Sequence, residues 1–194
     1  EDVGGLVALF GNLAPGGAIL KRSAADPTLF EATGRAVVFT SLEDLAERID
    51  AEDLDVKADD ILVLQNAGPK SPSGMPEAGY IPIPKKLAQA GVKDMIRISD
   101  CRMSGTAFGT IVLHVTPEAA VGGAIGLVKN GDEIRLSIAN KTLELLVDNA
   151  ELKRRRQANP PQPATPTRGY AKLYADHVTQ ADQGADFDFL MAQD

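Results

Sequence analysis

Apolar runs separated by turn-forming residues outline the secondary structure of this chain. From residue 6 to residue 20, short apolar stretches are broken by glycine and proline, a pattern typical of short strands joined by tight turns. Residues 37–40 are rich in β-branched side chains and predict another strand. Ser41 then precedes apolar residues at helical spacing and is a favourable helix-capping residue, so a helix is predicted to begin there.

Two further apolar runs predict strands that are buried on both faces. Residues 61–64 form a continuous apolar run, and residues 95–98 form a second candidate. The first run leads into a loop at 66–84 that is crowded with glycine and proline, and the second leads into the polar, glycine-rich segment 99–106. Two strands therefore deliver two polar loops.

The rest of the chain predicts more strands, a helix, a linker and a terminal arm. Strands are predicted at 111–115, 134–138 and 142–147, a turn or short helix at 117–120, a helix at 148–156, and a turn at Asn130-Gly131 after residues 125–128. We divide the chain into a barrel-like domain (1–157), a proline-rich linker (158–169) and a C-terminal arm (170–194). Helices between strands indicate a compact mixed β-barrel or α/β domain.

Composition excludes several classes of protein. The chain has 194 residues and a single cysteine, so it is neither a disulfide scaffold nor able to hold a thiolate zinc site or an iron-sulfur cluster alone. The hydrophobic fraction of 44% and the charged fraction of 24% are those of a globular domain. No apolar run approaches the roughly 18 residues that span a bilayer, and the acidic start lacks the basic region of a signal peptide. We therefore expect a cytoplasmic protein without a membrane partner.

Charge also limits the partners. The net charge is −7, and the one basic run, residues 153–156, is short and follows an acidic helix, which is the ordinary pattern of a helix end. Nucleic acid is therefore not expected as a partner. Because the first methionine is Met75, the chain is expected to be a fragment, with part of the active site in residues upstream.

Ser104 is the first candidate for chemistry, since it lies between Met103 and Gly105 in a loop that leaves a buried strand. The nucleophile motif Gly-x-Ser-x-Gly is not matched, because residue 102 is arginine. His114 lies in a predicted strand and His177 in the arm, and each is interpreted as a packing or surface residue. A Ser-His-acid triad is therefore poorly supported.

Glu77 is the second candidate, because a carboxylate in a glycine- and proline-rich loop suits a hard cation such as Mg²⁺. Taken alone, a loop glutamate is more often a solvated charge. Asp100 is interpreted as a turn residue that accepts hydrogen bonds from backbone N–H groups, and Cys101 as a small packing residue.

Three motifs occur together and carry a resemblance. They are Gly-Asn-Leu-Ala-Pro at 11–15, Gly-Met-Pro-Glu at 74–77 and Ser-Asp-Cys-Arg-Met-Ser-Gly-Thr-Ala-Phe-Gly at 99–109. In this order they resemble the C-terminal domain of the dihydroxy-acid and sugar-acid dehydratase family, and the resemblance continues to the tail at 176–184. It implies an α/β fold, a mixed β-barrel of the swivelling β/β/α type with flanking helices and a C-terminal arm.

The resemblance also implies a reaction. In that family a 2,3-dihydroxy carboxylate loses water and becomes a 2-keto-3-deoxy acid. An N-terminal domain of the same protein, which this chain lacks, holds an iron-sulfur cluster and most ligands of a Mg²⁺ ion. Glu77 would be the Mg²⁺ ligand from this domain, Ser104 the base that removes the C2 proton, and Thr106 a hydrogen-bonding partner of the substrate. Homo-oligomers are usual in the family and are expected here.

The residues around Ser104 look more like the pentonate branch, which includes L-arabinonate and D-xylonate dehydratases. The branched-chain amino-acid branch usually has phenylalanine before the serine and two glycines after it, whereas this chain has Met103 and Gly105-Thr106. A polar sugar acid is therefore the expected substrate. The alternatives are a dihydroxy-acid dehydratase of branched-chain amino-acid synthesis and a non-catalytic β-barrel module whose linker and tail bind a partner protein.

Overall fold

The structure, a computed structural model, describes residues 4–77, 81–106 and 108–191. The first and last three residues, residues 78–80 of the predicted loop and Ala107 of the serine segment lie outside the described residues. Within the described part, eight strands form one mixed sheet. The strands are β1 Leu6–Leu9, β2 Gly17–Lys21, β3 Glu31–Phe39, β4 Ile61–Leu64, β5 Arg97–Ser99, β6 Ile111–Thr116, β7 Glu133–Ser137 and β8 Thr142–Leu145. The helices are α1 Leu42–Arg48, α2 Lys85–Gln89, α3 Asn149–Ala158 and α4 Gly169–His177.

The sheet is nearly closed into a barrel, which confirms the predicted mixed α/β class. Its strand order is β1-β2-β6-β5-β4-β3-β7-β8. The four central strands, β6, β5, β4 and β3, pair in parallel, whereas the outer pairs are antiparallel. Phe10, directly after β1, forms a parallel bridge with Thr142 of β8 and brings the two edges of the sheet together.

The Gly11-Asn12 pair completes this closure. The side chain of Asn12 donates to the carbonyl of Leu145 at 2.8 Å and accepts from its amide at 2.7 Å. Gly11 has a φ of 149°, and a Cβ there would lie 2.2 Å from the carbonyl oxygen of Leu143. Only glycine permits the edges to approach so closely. The first of the three motifs thus has a structural role, since it joins β1 to β8.

The core lies on both sides of the central strands, as the apolar run at 61–64 predicts. Ile61 and Val63 of β4 point into the barrel and pack with residues such as Leu136. Leu62 and Leu64 point outward and pack in the layer that α1 covers through its Leu45. All four residues of β4 are fully buried, because the strand has a parallel neighbour on each side and a layer over each face.

β3 is longer than its predicted extent of 37–40. Its first half pairs antiparallel with β7 and its second half pairs parallel with β4, so one strand joins the two types of pairing. The local sequence Thr33-Gly34-Arg35 gives little strand signal. Arg35 is nevertheless held by Asp55 and Asp60, which are distant in sequence.

The other differences between the predicted and the observed elements are local. The buried strand predicted at 95–98 is the shorter β5, shifted toward Ser99, and residues 124–127 form a 3₁₀ turn. Arg155 of the basic run is buried and pairs with Asp132 and Glu151, so the run is more than a solvated helix end. Residues 159–168 contain neither helix nor strand, while the domain boundaries stay a prediction. No helix in the described part has both the length and the apolar character needed to cross a bilayer.

We expect Asn12→Ala to lower the free energy of unfolding by about 1–2 kcal/mol, because two hydrogen bonds across the barrel closure are lost. Urea denaturation measures this change. Asn140→Ala is the matched control, since among the described residues Asn140 forms its side-chain hydrogen bond within its own turn, to Ser137, and its effect is expected to stay within about 0.5 kcal/mol. Equal effects of the two substitutions would contradict the role of Asn12 in closure.

Candidate active site

Two loops that carry candidate residues leave neighbouring parallel strands. The glutamate loop, residues 66–77, follows β4, and the serine loop, residues 100–106, follows β5. Leu64 and Ser99, the last residues of these strands, are paired with each other. Since both strands run in the same direction, both loops begin at the same edge of the sheet, where ligands bind in many α/β proteins.

Ser104 Oγ forms hydrogen bonds with Thr106 of its own loop. The amide of Thr106 donates to Ser104 Oγ at 3.2 Å, and the hydroxyl of Thr106 lies 2.9 Å from the same oxygen. Donors around an oxygen favour its negatively charged form. Lys21, at the end of β2, donates to the carbonyl of Gly105 at 2.7 Å and brings a positive charge to the loop.

Arg102 joins the two loops. Its guanidinium Nη2 lies 2.7 Å from Glu77 Oε2, and its amide donates to the carbonyl of Pro76 at 3.3 Å. The side chains of Glu77 and Arg102 are 45% and 52% exposed, so this carboxylate is open to solvent and already adjacent to a cation. The structure therefore connects Glu77 to the serine loop through Arg102, a residue that the sequence analysis gave no role.

The exposed carboxylate of Glu77 is chemically suited to supply one oxygen ligand to Mg²⁺. Mg²⁺ is usually held by one or two carboxylates, with the other positions taken by water or substrate. Across residues 4–77, 81–106 and 108–191, no group of three or more His, Cys, Asp and Glu side chains is placed to hold a metal ion. An iron-sulfur cluster does not fit the residues of this chain, because its one cysteine, Cys101, is fully buried in the core.

Asp100 holds the glutamate loop through buried hydrogen bonds. Its buried carboxylate accepts from the amide of Ala67 at 2.9 Å and from the amide of Ala119, which follows β6, at 2.8 Å. The interpretation as an acceptor of backbone hydrogen bonds is confirmed, although the bonds join distant loops rather than a local turn. Burial raises the pKa of Asp100 to about 7, with a further contribution from the nearby Glu118 and an opposing one from the two amides.

Glu118 is a second buried carboxylate beneath the same loop. It accepts from the amide of Lys70 at 2.8 Å and 3.0 Å, and burial raises its pKa. A Cβ on Gly68 would lie 2.6 Å from the Cβ of Glu118, so the loop passes directly over this side chain. Gln180 of the C-terminal arm pairs with Glu118 twice, since its amide group donates to the carboxylate at 2.6 Å and its oxygen accepts from the Glu118 amide at 3.0 Å.

The linker and the arm hold the other side of the glutamate loop. Ala164 of the linker donates to the carbonyl of Lys70 at 2.8 Å. Tyr174 of α4 donates to the carbonyl of Gly74 at 3.4 Å. A cavity of about 790 Å³ lies between this loop, the linker and α4, but neither Glu77 nor Ser104 lines it. The arm therefore packs against the loop that carries Glu77 and leaves that side chain exposed.

Comparison with known proteins decides the family. The model of the dihydroxy-acid/6-phosphogluconate dehydratase C-terminal domain matches residues 1–185. The chain belongs to this dehydratase family. The resemblance carried by the three motifs is thereby confirmed.

Individual relatives are dehydratases of small acids. The chain is 54% identical over 187 residues to a 6-deoxy-6-sulfo-D-gluconate dehydratase of Pseudomonas putida, which is 96% of this chain and 32% of that protein. It is 51% identical over 187 residues to an L-arabinonate dehydratase of Rhizobium leguminosarum, with the same coverage of 96% and 32%. A dihydroxy-acid dehydratase of Syntrophobacter fumaroxidans is 43% identical over 185 residues, 95% of the chain and 33% of that protein. The chain thus spans about one third of the length of these relatives.

The two histidines of this dehydratase domain differ in their surroundings. His177 pairs with Asp188 at 2.9 Å and stacks edge-on with Phe189, which agrees with its interpretation as a surface residue. His114 Nε2 accepts from the amide of Met103, so it is a packed residue that contacts the serine loop. Among the described residues, Ser104 Oγ forms its hydrogen bonds with Thr106 and with neither histidine.

We expect Gln180→Glu to loosen the arm at pH 8, because two carboxylates would then face each other in a partly buried contact. Limited proteolysis measures this effect, and cleavage within residues 159–168 should become at least about tenfold faster as the docked arm opens more often. At pH 5.5 the difference in cleavage rate between this variant and the unmodified protein should become smaller, since a protonated Glu at position 180 can donate to Glu118 as the amide does.

Gln183→Glu is the control for this substitution. Gln183 is exposed, and its change introduces the same charge three residues away. Cleavage at the rate of the unmodified protein is expected for this control. Equal cleavage rates for the two variants at pH 8 would show that the contact between Gln180 and Glu118 does not hold the arm.

Proposed function

We propose that this chain is the C-terminal domain of a sugar-acid dehydratase that converts a pentonate, such as L-arabinonate or D-xylonate, into a 2-keto-3-deoxy acid. The observation that carries the proposal is the arrangement around Ser104. Its Oγ accepts a hydrogen bond from the amide of Thr106, and Arg102 of the same loop forms an ion pair with Glu77. Sugar-acid dehydratases among the relatives, at 51% and 54% identity, support the same class of reaction.

In this proposal Ser104 is the base. Its deprotonated Oγ takes the C2 proton of the substrate, and the electron pair of that C–H bond forms the C2–C3 double bond as the C3–O bond breaks. The leaving hydroxyl takes up the proton from Ser104 and becomes water, which restores the base, and the resulting enol tautomerises to the keto acid. A serine hydroxyl is too weak an acid to ionise unaided near pH 7. The amide of Thr106 donates to Oγ, and the Thr106 hydroxyl can donate to the ionised oxygen, so both would stabilise the charge that the base must carry.

Glu77 is proposed as the one Mg²⁺ ligand from this chain. When bound, the cation would polarise the carboxylate and the 2-hydroxyl of the substrate and so make the C2 proton more acidic. Before that, Arg102 holds the Glu77 carboxylate at 2.7 Å and keeps it beside the serine loop. Any iron-sulfur cluster would have to be bound by an N-terminal domain outside this chain.

The charges beside the serine loop favour an anionic substrate. Lys21 contacts the carbonyl of Gly105, and Arg102 lies two residues before Ser104. Positive charge beside the serine attracts carboxylates, although Arg102 is already paired with Glu77 and the whole chain carries a net charge of −7. Thr106 is the proposed hydrogen-bonding partner of the substrate hydroxyls, a role that suits a polar sugar acid better than a branched-chain dihydroxy acid.

The assembly is also a proposal. We expect a cytoplasmic homo-oligomer in which the N-terminal domain of the same protein covers the serine loop. The arm offers apolar contact area for a neighbouring subunit, because Tyr170 is 91% exposed and Leu190 is 62% exposed although Gln180 of the same arm is docked on its own chain.

We expect Ser104→Ala, in the full-length source protein, to lower keto-acid formation from the preferred sugar acid by at least about a thousandfold, because the proposed base is removed. Keto-acid formation is measured on L-arabinonate, D-xylonate, D-gluconate, 6-deoxy-6-sulfo-D-gluconate and 2,3-dihydroxyisovalerate. Ser23→Ala, at an exposed serine outside both loops, is the control and should keep full turnover.

The outcomes separate the alternatives. Preferred turnover of a pentonate supports the proposed substrate, whereas preferred turnover of 2,3-dihydroxyisovalerate contradicts it and supports a dihydroxy-acid dehydratase. Substantial turnover by Ser104→Ala would contradict the role of Ser104 as base. A full-length protein that turns over none of the acids would support the non-catalytic module instead.

A further inference from the structure

His114 lies in a strained part of β6. Its φ is 56°, in the left-handed region that residues other than glycine adopt infrequently. Gly17 and Ile19 of β2 pair with Thr116 and Leu113, so β6 contains one extra residue between these two pairs. The strand therefore has a β-bulge at His114, and bulges of this kind commonly redirect a side chain near an active site.

The bulge directs two groups of His114 at the segment before Ser104. The backbone amide of His114 donates to the carbonyl of Cys101 at 3.0 Å. Its ring Nε2 accepts from the amide of Met103 at 2.9 Å. Together the two bonds fix both ends of residues 101–103, the segment that leads directly to Ser104.

The ring must be uncharged to make this contact. Because an amide donates to Nε2, the proton of the neutral imidazole lies on Nδ1. Burial lowers the pKa of His114, and the positive charge of Arg102 lowers it further, so the accepting form is favoured. Asp182 of the arm is an acidic group that lines the same small cavity as His114.

We propose that His114 is a positioning residue, which holds the Met103 amide and thereby sets the orientation of Ser104 Oγ toward the substrate. This inference rests on the proposed function, because it concerns the same serine. The role explains why a strained backbone is present in an otherwise regular strand. No contact between His114 and the substrate is required.

Two substitutions separate the hydrogen bond from the backbone strain. Among residues other than glycine, asparagine tolerates a positive φ best, but its side chain is too short to bring an acceptor to the position of His114 Nε2. Glutamine is less suited to this φ, but its side-chain oxygen reaches that position. If His114 served fold stability alone, His114→Asn should have the higher kcat of the two variants. If His114 positions the serine loop, His114→Gln should have the higher kcat.

In the full-length enzyme we expect His114→Asn to lower kcat by about ten- to a hundredfold, since a small displacement of a reacting group has effects of this size. KM for the sugar acid should change less than about threefold, because substrate binding does not use His114. His114→Gln should recover kcat to within about fivefold of the unmodified enzyme. Thermal unfolding of each variant checks that the fold is retained.

A second readout does not depend on activity. Nitrogen NMR of the histidine ring should show an unprotonated Nε2 and a protonated Nδ1 in His114 at neutral pH. Hydrogen exchange of the Met103 amide should be faster in His114→Asn and close to the unmodified rate in His114→Gln. A protonated Nε2, or a kcat for His114→Asn equal to or above that of His114→Gln, would overturn the proposal.

The two hypotheses can fail separately. If Ser104→Ala retained turnover, the proposed chemistry would be wrong, and the ring tautomer and the Met103 exchange rates would still test whether His114 holds the loop. If Ser104→Ala were inactive while the two His114 variants matched the unmodified enzyme in kcat, the serine base would stand and the positioning role would be wrong.

Discussion

The parallel pairing of β4 with β5 is the constraint on which the candidate site depends. Parallel neighbours end at the same edge of a sheet, so the loops that follow them must start side by side. The pairing of Leu64 with Ser99 sets this register. Because β4 is buried on both faces, a slip of one residue would exchange the side chains that pack into the barrel with those that pack in the layer under α1. Neither layer would then be filled by the side chains that fit it, so the register is strongly specified. The glutamate loop and the serine loop are therefore adjacent as a consequence of core packing.

Buried carboxylates then hold the loops in one conformation. Asp100 and Glu118 are almost fully buried, and between them they accept hydrogen bonds from the amides of Ala67, Ala119 and Lys70. A buried carboxylate is costly unless its oxygens are satisfied, and here the backbone of glycine- and proline-rich loops supplies the donors. The C-terminal arm adds Gln180 to this network. A loop with little regular structure of its own is thus fixed from several sides, which suits the proposal that this loop presents a metal ligand.

Local sequence predicted part of this arrangement and missed the rest for identifiable reasons. The continuous apolar run predicted the doubly buried β4, and the motifs made Glu77 and Ser104 the candidate residues, because these signals lie in consecutive residues. Gln180 contacts Glu118 across 62 residues of sequence, so neither position signals the other. The bulge at His114 lies in an apolar strand and has no glycine that would indicate it in the sequence. From the sequence alone, Arg102 only rules out the Gly-x-Ser-x-Gly motif, because its ion pair with Glu77 joins two different loops.

The central claim is that Glu77 and Ser104 serve one metal-dependent site, and Mn²⁺ in place of Mg²⁺ tests it most directly. Paramagnetic broadening in the full-length protein should be strong at the amides of Ser104 and Thr106. Glu77→Gln should weaken Mn²⁺ binding by at least about tenfold, because a charged oxygen ligand is lost, whereas Glu47→Gln, at an exposed position on α1, should leave it unchanged. Unchanged Mn²⁺ affinity in Glu77→Gln, or a serine loop without broadening, would contradict the account.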